Sequence, residues 1–584
     1  MKSGMTDAKM LAVRCLNETR LLHPPTYVAS RYLADSIASD SSSSWTPAAI
    51  TRRYPVQNTP RFFKFLRFKK RLENHQIEYR EFLVPSPMSC LAEALVLRVL
   101  SGMETFQKPA SVYSYRWPSF PACPYNFDHY ANGYRKRNRN ISDVLRLDPR
   151  RVAIVTDIEK FYPTISHAVV RQRFQSRLVD AAIDSGVRET ALNLFEHLLS
   201  AFPNGKGIAT GPELSHVIGD LALSEVDEEF ERRFPGRYVR YVDDIVFVVE
   251  PGEKQQALNL LNQLLQNAEL KANPDKADSV SSDEWLAHGP DHRRIVTEYS
   301  FEALVFRLKV FLAVKPDSFE KLDSVLWDQG FSLPLGRIRG AANTNAFKRR
   351  LTVFHRRGWQ VLLRALFDSE KSLVEYAFNV RKAIQQRLVS LFGSGFPNAA
   401  TRRRWHAQRV RYLTNRILYL LPAPELRFVR DALANQPEFT ETLALLKLLQ
   451  DGDCSDLLEM PGPAVAAAAA ILRAAKTQVS TITSPAELSG AATHSAGILL
   501  LYGAAEFGAP LRANAGPDAL EFLSFCAGDA PQRRVRNDFG YLDEIRSLQL
   551  NRKAEERLQM LESRFSENEA ITFEALEIGE EYFT

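Results

Sequence analysis

Residues 239–249 read VRYVDDIVFVV, two β-rich runs on either side of an Asp–Asp doublet. Val, Ile, Tyr and Phe favour strands and Asp tolerates turn geometry, so the segment predicts two strands around a tight turn with Asp243 and Asp244 at its tip. Two adjacent carboxylates flanked by buried strands repel each other and lose hydration, so we expect a cation to neutralise them. Taken alone, an Asp–Asp pair at such a turn is more often ordinary turn chemistry than a functional site.

A second candidate carboxylate, Asp157, lies upstream. It follows VAIVT, residues 152–156, a short apolar run that predicts a buried strand. At the end of a neighbouring strand, Asp157 could converge with the doublet on a pair of metal ions. Mg²⁺ takes oxygen ligands, and two ions about 3.5–4 Å apart can activate an attacking oxygen and stabilise a leaving one. The two carboxylate sites together indicate Asp157, Asp243 and Asp244 as catalytic ligands of two Mg²⁺ ions, with Mn²⁺ as an alternative.

The composition of the chain limits the class of protein. At 584 residues it is too long for one compact core, and its hydrophobic content of 45% is ordinary for a soluble globular protein. The formal net charge of +6 permits nucleic-acid binding without indicating it. Basic clusters lie at residues 135–139 (RKRNR), 348–357 (KRRLTVFHRR) and 402–411 (RRRWHAQRVR). Any one of them is more often a solvated helix face than a binding surface.

Cysteine usage and hydropathy favour a cytoplasmic protein. The five cysteines are scattered and show no zinc-ligand spacing, which favours a reducing compartment and argues against a structural zinc site. The N-terminus lacks a charged-then-apolar signal pattern. The longest apolar run, residues 463–472, ends at Arg473 and is far short of the ~20 residues that span a bilayer. We therefore expect no membrane partner.

Two patterns divide the chain. From residue 61 to about 310, short β-rich runs alternate with helical ones, including an amphipathic helix over residues 257–268. Beyond about residue 319 helical periodicity dominates, and paired helices there could stack as an irregular α-solenoid. The helices predicted in this back half span residues 361–367, 372–391, 409–419, 424–434, 438–449, 464–476 and 554–564.

The carboxylate segments resemble motifs A and C of reverse transcriptases. Motif A is Asp-x-x-x-aromatic-aromatic, which Asp157, Phe161 and Tyr162 match, and motif C is Tyr-x-Asp-Asp, which residues 241–244 match. Four further segments resemble other motifs of the family, in its order, across roughly residues 61–310. They are YREFLVPSP (79–87) and VYSYRW (112–117) in the fingers, GIATGPELS (207–215) as motif B, and LKANPDK (270–276) as motif D.

The resemblance implies an α+β fold, with the fingers and palm of a right-hand polymerase and a large all-α, helical-repeat-like C-terminal domain. We expect an N-terminal extension over residues 1–60, the reverse transcriptase fingers and palm over residues 61–312, and the helical domain over residues 313–584.

The resemblance also implies roles for single residues of motifs A and C. Asp157 and Asp243 would be the main Mg²⁺ ligands, with Asp244 a weaker one and the backbone carbonyl of Ile158 an additional one. Tyr162 would be the aromatic gate, whose ring fills the space that a ribose 2′-OH needs and so favours dNTP over rNTP. An ordinary core aromatic remains the alternative for Tyr162.

The remaining motifs imply a set of dNTP-binding residues. Arg80 would hold the triphosphate, because a guanidinium matches phosphate oxygens bidentately. Gly207 and Gly211 would let the backbone approach the nascent base pair, and Thr210 beside them belongs to the same dNTP-binding set. Lys276 could protonate or neutralise the pyrophosphate leaving group, or be a solvated lysine after a turn. The basic clusters would line the nucleic-acid channel.

Motif B departs from the family's usual Gly-Leu-Pro-Gln-Gly, because residues 207–211 read GIATG. A relaxed motif B followed by a long helical region resembles the bacterial reverse transcriptases of antiphage defence, the abortive-infection and defence-associated groups. That resemblance implies DNA synthesis, either RNA-directed or untemplated, from a nucleic-acid 3′-OH or a protein hydroxyl. Tyr502, Tyr541 and Tyr582 are candidate priming residues that the sequence does not rank.

Two other functions fit the sequence. One is a catalytically silent RNA- or protein-binding scaffold with a polymerase-like fold, disfavoured by the three intact carboxylates. The other is an RNA-dependent RNA polymerase, disfavoured by Tyr162. The expected partners are dNTPs, RNA or DNA as template or product, and further copies of the chain in a homo-oligomer.

Overall fold

The computed structural model describes residues 2–40, 44–53, 62–72, 74, 76–118, 123–179, 183–273, 277–289, 299–342, 366–479, 482, 489–529, 540–549 and 554–563. In these ranges the chain is mostly helical, with one two-stranded and one four-stranded sheet. No helix in them is both long and apolar enough to cross a membrane.

Three N-terminal helices, α1 (Lys2–Leu22), α2 (Pro24–Ser39) and α3 (Pro47–Arg53), open the described chain. They join the main hydrophobic core instead of standing apart from it. Thr26 of α2 shares a hydrogen bond with the hydroxyl of Tyr541, and Arg31 donates to the carbonyl of Met560 at 3.4 Å. The predicted N-terminal extension therefore packs against the end of the described chain.

An antiparallel hairpin of strands β1 (Phe62–Arg71) and β2 (Ile77–Pro85) follows. The hairpin is hydrogen-bonded to the back half of the chain. The Phe68 amide donates to the Pro461 carbonyl at 3.0 Å, and the Tyr79 hydroxyl donates to the Glu459 carbonyl at 2.9 Å. This hairpin, the expected fingers segment, is therefore tied to the helical region that follows it in sequence.

A four-stranded antiparallel sheet carries both carboxylate segments. Its strands are β3 (Val152–Thr156), β4 (Tyr238–Tyr241), β5 (Asp244–Val249) and β6 (Asp278–Ser281), in the order β4-β5-β3-β6. Alternate side chains of β5 point to opposite faces of the sheet, as strand geometry requires. Phe247 packs in the main core, and Val246 packs in a second apolar cluster on the other face. The predicted strand over residues 152–156 and the predicted hairpin over residues 239–249 are confirmed.

Helices pack around this sheet in the front half of the chain. The helix predicted over residues 257–268 is confirmed, with observed bounds Lys254–Asn267. The helices are α4 (Pro87–Ser101), α5 (Tyr130–Leu147), α6 (Phe161–Thr164), α7 (His167–Val179), α8 (Ser185–Ser200), α9 (Leu214–Ala222), α10 (Ser224–Arg233), α11 (Lys254–Asn267), α12 (Ser282–His288) and α13 (Phe301–Val314).

The described residues beyond α13 form helices and short 3₁₀ turns and contribute no strand to either sheet. The helix predicted over residues 409–419 begins earlier than expected, at Ala400. The prediction missed its first turns because the three arginines at 402–404 interrupt the apolar spacing that indicates a helix. The helix predicted over residues 361–367 lies mostly outside the described residues. The helices are α14 (Phe319–Asp328), α15 (Leu335–Ala342), α16 (Glu370–Gly393), α17 (Ala400–Ile417), α18 (Arg427–Leu433), α19 (Thr440–Asp451), α20 (Ser455–Leu458), α21 (Pro463–Ala474), α22 (Gly490–Leu501), α23 (Ala509–Asn514), α24 (Pro517–Ala527), α25 (Tyr541–Gln549) and α26 (Ala554–Glu562).

Candidate active site

The sheet brings the predicted carboxylates to one edge. The last paired residues of β3 and β5 are Thr156 and Ile245, so the next residues, Asp157 and Asp244, stand side by side where the strands end. Asp157 is buried, and all three carboxylates line one cavity of ≈ 2090 Å³. The convergence that the sequence predicts between Asp157 and the hairpin doublet is therefore present in the fold.

The turn that presents the doublet is strained and held from two sides. Val242 has φ +57, a left-handed conformation that is costly for a β-branched residue. Its amide donates to the Ser114 hydroxyl at 3.0 Å, and its carbonyl accepts from Arg240 Nη1 at 2.8 Å. These two contacts fix the backbone from which Asp243 and Asp244 project.

Arg240 is the centre of a buried charge network under this turn. Its side chain is 1% exposed and pairs with Asp227 at 2.6 Å, and Asp220 lies 3.1 Å away. Burial works against the charged guanidinium, but the attraction of Asp227 and Asp220 raises the pKa of Arg240 well above its ordinary value. Tyr238 completes the network by donating its hydroxyl to Asp227 at 2.7 Å.

The segment after Asp157 is fixed by the segment that resembles motif D. The Asn273 amide donates to the Asp157 carbonyl at 2.8 Å, and the Glu159 amide donates to the Lys271 carbonyl at 2.9 Å. Ile158, between them, forms an isolated bridge with Ala272 and lines the cavity. The backbone at the expected metal-ligand positions is therefore ordered by hydrogen bonds on both sides.

A side chain from the helical back half reaches the doublet. Arg404 of α17 contacts Asp244 bidentately: Nη2 donates to Oδ2 at 2.8 Å and Nη1 to Oδ1 at 3.2 Å. Asp244, with a smaller contribution from Asp157, raises the pKa of Arg404 above its ordinary value. Among the residues that the structure describes, an arginine therefore forms an ion pair with Asp244.

The carboxylates fit a hard divalent cation in donor type and in strand register. Within the described ranges, however, no three Asp, Glu, His or Cys side chains are gathered closely enough to hold a metal ion. Asp244 is turned to Arg404 instead. The donor set is therefore suitable, but its side chains would have to rotate before they could share a metal.

The expected gate, Tyr162, has a partner that the sequence did not indicate. Its Oη lies 2.7 Å from His216 Nδ1, and His216 stacks on Tyr115 with ring centroids 3.6 Å apart. Burial lowers the pKa of His216 to about 3, so the imidazole is neutral at pH 7. Tyr162 lines the cavity, with its hydroxyl held by this stacked pair.

The loop that resembles motif B is attached to the fingers strand β2. Gly211 has φ +125, and a Cβ there would lie 2.1 Å from the Leu83 carbonyl oxygen, so glycine is required. The Thr210 hydroxyl donates to the Glu81 carbonyl at 2.7 Å, and the Thr210 carbonyl accepts from the Leu83 amide at 2.8 Å. Thr210 and Gly211 line the cavity while also joining this loop to β2.

Cations from separate parts of the chain line the cavity. Arg80 projects from β2 and is exposed, Arg135 and Arg139 come from the cluster at 135–139, and Arg404 and Arg409 come from the cluster at 402–411. Lys276 and the cluster at 348–357 lie outside the described residues. Two of the three predicted basic clusters therefore contribute to the wall of this cavity.

The candidate priming tyrosines occupy different environments. Tyr502 is buried and lines the cavity. Tyr541 is buried, and burial raises its pKa well above the ordinary value. Tyr582 lies outside the described residues.

The part of the chain that carries the three carboxylates matches a known protein family. Residues 107–306 match the family described as reverse transcriptase (RNA-dependent DNA polymerase). The chain contains a reverse transcriptase domain. The match covers the sheet with Asp157 and the doublet, and it leaves Arg80 and Arg404 outside.

Solved structures similar to this chain include telomerases. Apo telomerase from Candida tropicalis is 12% identical, with a TM-score of 0.28, over 66% of this chain and 69% of that chain. Telomerase from Candida albicans in complex with a TWJ fragment of telomeric RNA is 13% identical, with a TM-score of 0.26, over 69% and 66%. TM-scores this low support no functional conclusion. A comparison with curated proteins finds no match.

Sequence reasoning assigned no individual role to four residues that shape the candidate site: Ser114, His216, Arg240 and Arg404. Arg240 left a specific signal, because a charged residue between apolar neighbours of a buried strand must have a buried counter-charge. For Arg404 the sequence showed only that it belongs to a basic cluster. Ser114, His216 and Arg404 act through partners far away in sequence.

Three carboxyl groups meet behind motif B of the reverse transcriptase domain: Glu18 of α1, Glu93 of α4 and Glu213. The Leu214 amide donates to Glu93 at 2.6 Å, and Asn126 donates to Glu213. Burial raises the pKa of Glu93 to about 8 and that of Glu213 to about 7, and it raises the pKa of Glu18 well above its ordinary value. Burial therefore favours the neutral form of all three carboxyl groups in the folded chain.

The cluster predicts a pH-dependent stability. Since the folded-state pKa values are raised, this contribution to stability is present below about pH 4.5 and is lost as the pH rises toward about 8. We expect the free energy of unfolding to fall between about pH 5 and pH 8, and Glu93→Gln to reduce that fall by on the order of 2 kcal/mol. Urea denaturation at several pH values measures both slopes. Glu78→Gln on the surface is the control, and equal slopes for all three proteins would contradict the prediction.

Proposed function

We propose that this chain is a DNA polymerase of the reverse transcriptase type, which adds dNTPs by two-metal nucleotidyl transfer in bacterial antiphage defence. One observation carries the proposal. Asp157 meets the Asp243–Asp244 hairpin at one edge of a sheet, inside a reverse transcriptase domain and on the wall of an arginine-lined cavity. The synthesis would be RNA-directed or template-independent.

We assign metal binding and nucleotide binding to different residues of the cavity. Asp157, Asp243 and Asp244 would hold Mg²⁺, with the Ile158 carbonyl as an additional ligand. Bound Mg²⁺ supplies charge neutralisation at the attacking and leaving oxygens.

The other site residues would act on the nucleotide directly. Arg80 would bind the triphosphate, and Tyr162 would exclude a ribose 2′-OH. Gly207 and Gly211 would let the backbone approach the nascent base pair, Thr210 would belong to the same dNTP-binding set, and Lys276 would neutralise the departing pyrophosphate.

The defence role rests on sequence features. Motif B is relaxed to GIATG, and a long helical region follows the reverse transcriptase domain, as in the defence-type enzymes that the chain resembles. We further propose a cytoplasmic location, RNA or DNA as partner and a homo-oligomeric assembly.

The test is incorporation of labelled dNTPs by the purified full-length chain with Mg²⁺, with and without an added RNA template and primer. A denaturing gel before and after protease treatment then separates free from protein-linked DNA. Product that requires Mg²⁺ and disappears with EDTA is the expected result. A chain that makes no product with any template or metal would contradict the proposal.

One observation favours a second candidate function, a catalytically silent RNA-binding scaffold. Arg404 engages Asp244 bidentately, so a catalytic carboxylate is already paired. Tight RNA binding by the purified chain without nucleotide addition would support the scaffold.

The gate role of Tyr162 predicts opposite outcomes for two substitutions. Tyr162→Ala removes the ring, and we expect it to raise rNTP incorporation relative to dNTP by about 10- to 100-fold. Tyr162→Phe keeps the ring and loses only the contact with His216, so its nucleotide preference should stay within about threefold of wild type. Ratios of kcat/KM for a dNTP and the matching rNTP measure the effect. An unchanged ratio in Tyr162→Ala would remove the gate assignment.

A further inference from the structure

We infer that Arg404 is a substrate-binding residue of this active site, which neutralises Asp244 before metal binding and pairs with the phosphates of the incoming nucleotide afterwards. The inference rests on the proposed function and extends it to a residue of the helical back half. Arg404 lies outside the part of the chain that matches the reverse transcriptase family.

The position of Arg404 is set by the docking of α17 on the sheet. Trp405 packs in the second apolar cluster with Val246 and Val248, and its ring stands perpendicular to that of Trp285 at 5.4 Å. Further along the helix, Arg409 donates to the His288 carbonyl at 2.6 Å. The backbone of α17 is therefore anchored on the palm beside the catalytic hairpin.

Neighbouring arginines of the same helix have other partners. Arg402 pairs with Glu284, and Arg403 pairs with Glu438 at 2.7 Å. Of these three consecutive arginines, only Arg404 contacts a predicted catalytic carboxylate. The contact is thus a property of this position and not of a diffuse basic surface.

The ion pair between Arg404 and Asp244 should break when a metal ion binds Asp244, for reasons of charge balance. A divalent cation and a guanidinium compete for the same carboxylate oxygens, so metal binding at Asp244 weakens the ion pair. The Arg404 side chain is 44% exposed and can rotate into the cavity while its helix stays in place. The anion expected there is a triphosphate, whose oxygens match the planar fork of a guanidinium.

Metal binding without nucleotide tests the first half of the inference. We expect Arg404→Gln to bind Mn²⁺ about fivefold more tightly than wild type, because the competing cation is gone. Arg402→Gln removes the same charge two residues earlier on the helix and should change the affinity less than about twofold. Electron paramagnetic resonance of free Mn²⁺ measures both dissociation constants. Equal affinities for wild type and Arg404→Gln would overturn the inference.

Steady-state kinetics test the second half. Arg404→Gln should raise KM for dNTP about tenfold, although it binds metal more tightly, and Arg404→Lys should lie between it and wild type. If Arg404 were purely structural, its substitution would not both tighten metal binding and raise KM for dNTP. An unchanged KM in Arg404→Gln would overturn the substrate-binding role.

A double substitution links the two halves. On an Asp244→Asn background, Arg404→Gln should no longer change Mn²⁺ affinity, since the shared carboxylate is absent. A persisting fivefold effect would show that Arg404 acts elsewhere. Failure of the wild-type chain to add any nucleotide would refute the proposed function, whereas the Mn²⁺ titrations would still decide whether Arg404 competes for Asp244.

Discussion

Asp243→Asn is expected to lower the rate of dNTP incorporation by about a thousandfold or more, which corresponds to roughly 4 kcal/mol of transition-state stabilisation. The substitution keeps the size of the side chain and removes one of the three carboxylate charges that line the cavity. The turn itself should persist, because Ser114 and Arg240 hold it through the backbone of Val242. The loss should therefore be catalytic and not structural.

Time courses of labelled dNTP incorporation, with proteins matched for thermal unfolding, measure this effect. Asp143→Asn is the matched control, because Asp143 is exposed on α5 and pairs only locally with Arg146. We expect its activity to stay within about twofold of wild type. If Asp243→Asn retained a tenth of the wild-type rate, the carboxylate assignment would be wrong.

Arg240→Met should lower the free energy of unfolding by about 3–5 kcal/mol, because removing one partner of a buried ion pair leaves an uncompensated charge. Asp227 is 2% exposed in its side chain and would keep only the Tyr238 hydroxyl among its contacts described above. The Val242 carbonyl would also lose its donor. Stability and the geometry of the catalytic turn should therefore decline together.

Urea denaturation measures this loss, with Arg233→Met as the control. Arg233 pairs with Glu229 on the surface and is 44% exposed, so its removal should cost less than about 1 kcal/mol. If Arg240→Met does not fold, Arg240→Lys keeps the charge, loses the fork and should give an intermediate loss. A difference below about 1 kcal/mol between Arg240→Met and Arg233→Met would contradict the prediction.

For the basic cluster at residues 402–411, the sequence predicted the location of the charges but not their partners. Its composition predicted a lining for a nucleic-acid channel, and Arg404 and Arg409 do line the cavity. The structure also distributes neighbouring members among specific partners, Glu284 for Arg402 and Glu438 for Arg403. Composition shows that charge is present, but only the packing of α17 selects which charge each arginine meets.

The sequence by itself determined the strands of the palm and the turn with the Asp doublet, whereas the pairing of β3 with β5 brings Asp157 beside that turn. The strands and the turn depend on local propensity and on strand alternation, which neighbouring residues encode directly. The reverse transcriptase motifs are recognisable for the same reason, because each occupies a short stretch of chain.

Only the tertiary structure decided that Arg404 reaches Asp244 across 160 residues, that His216 holds Tyr162, and that α2 packs against the last described helices. Such contacts arise when distant helices bury their apolar faces together, and the polar residues on those faces then meet whatever lies opposite. No local pattern specifies that partner, because the partner is chosen by the packing of the whole chain.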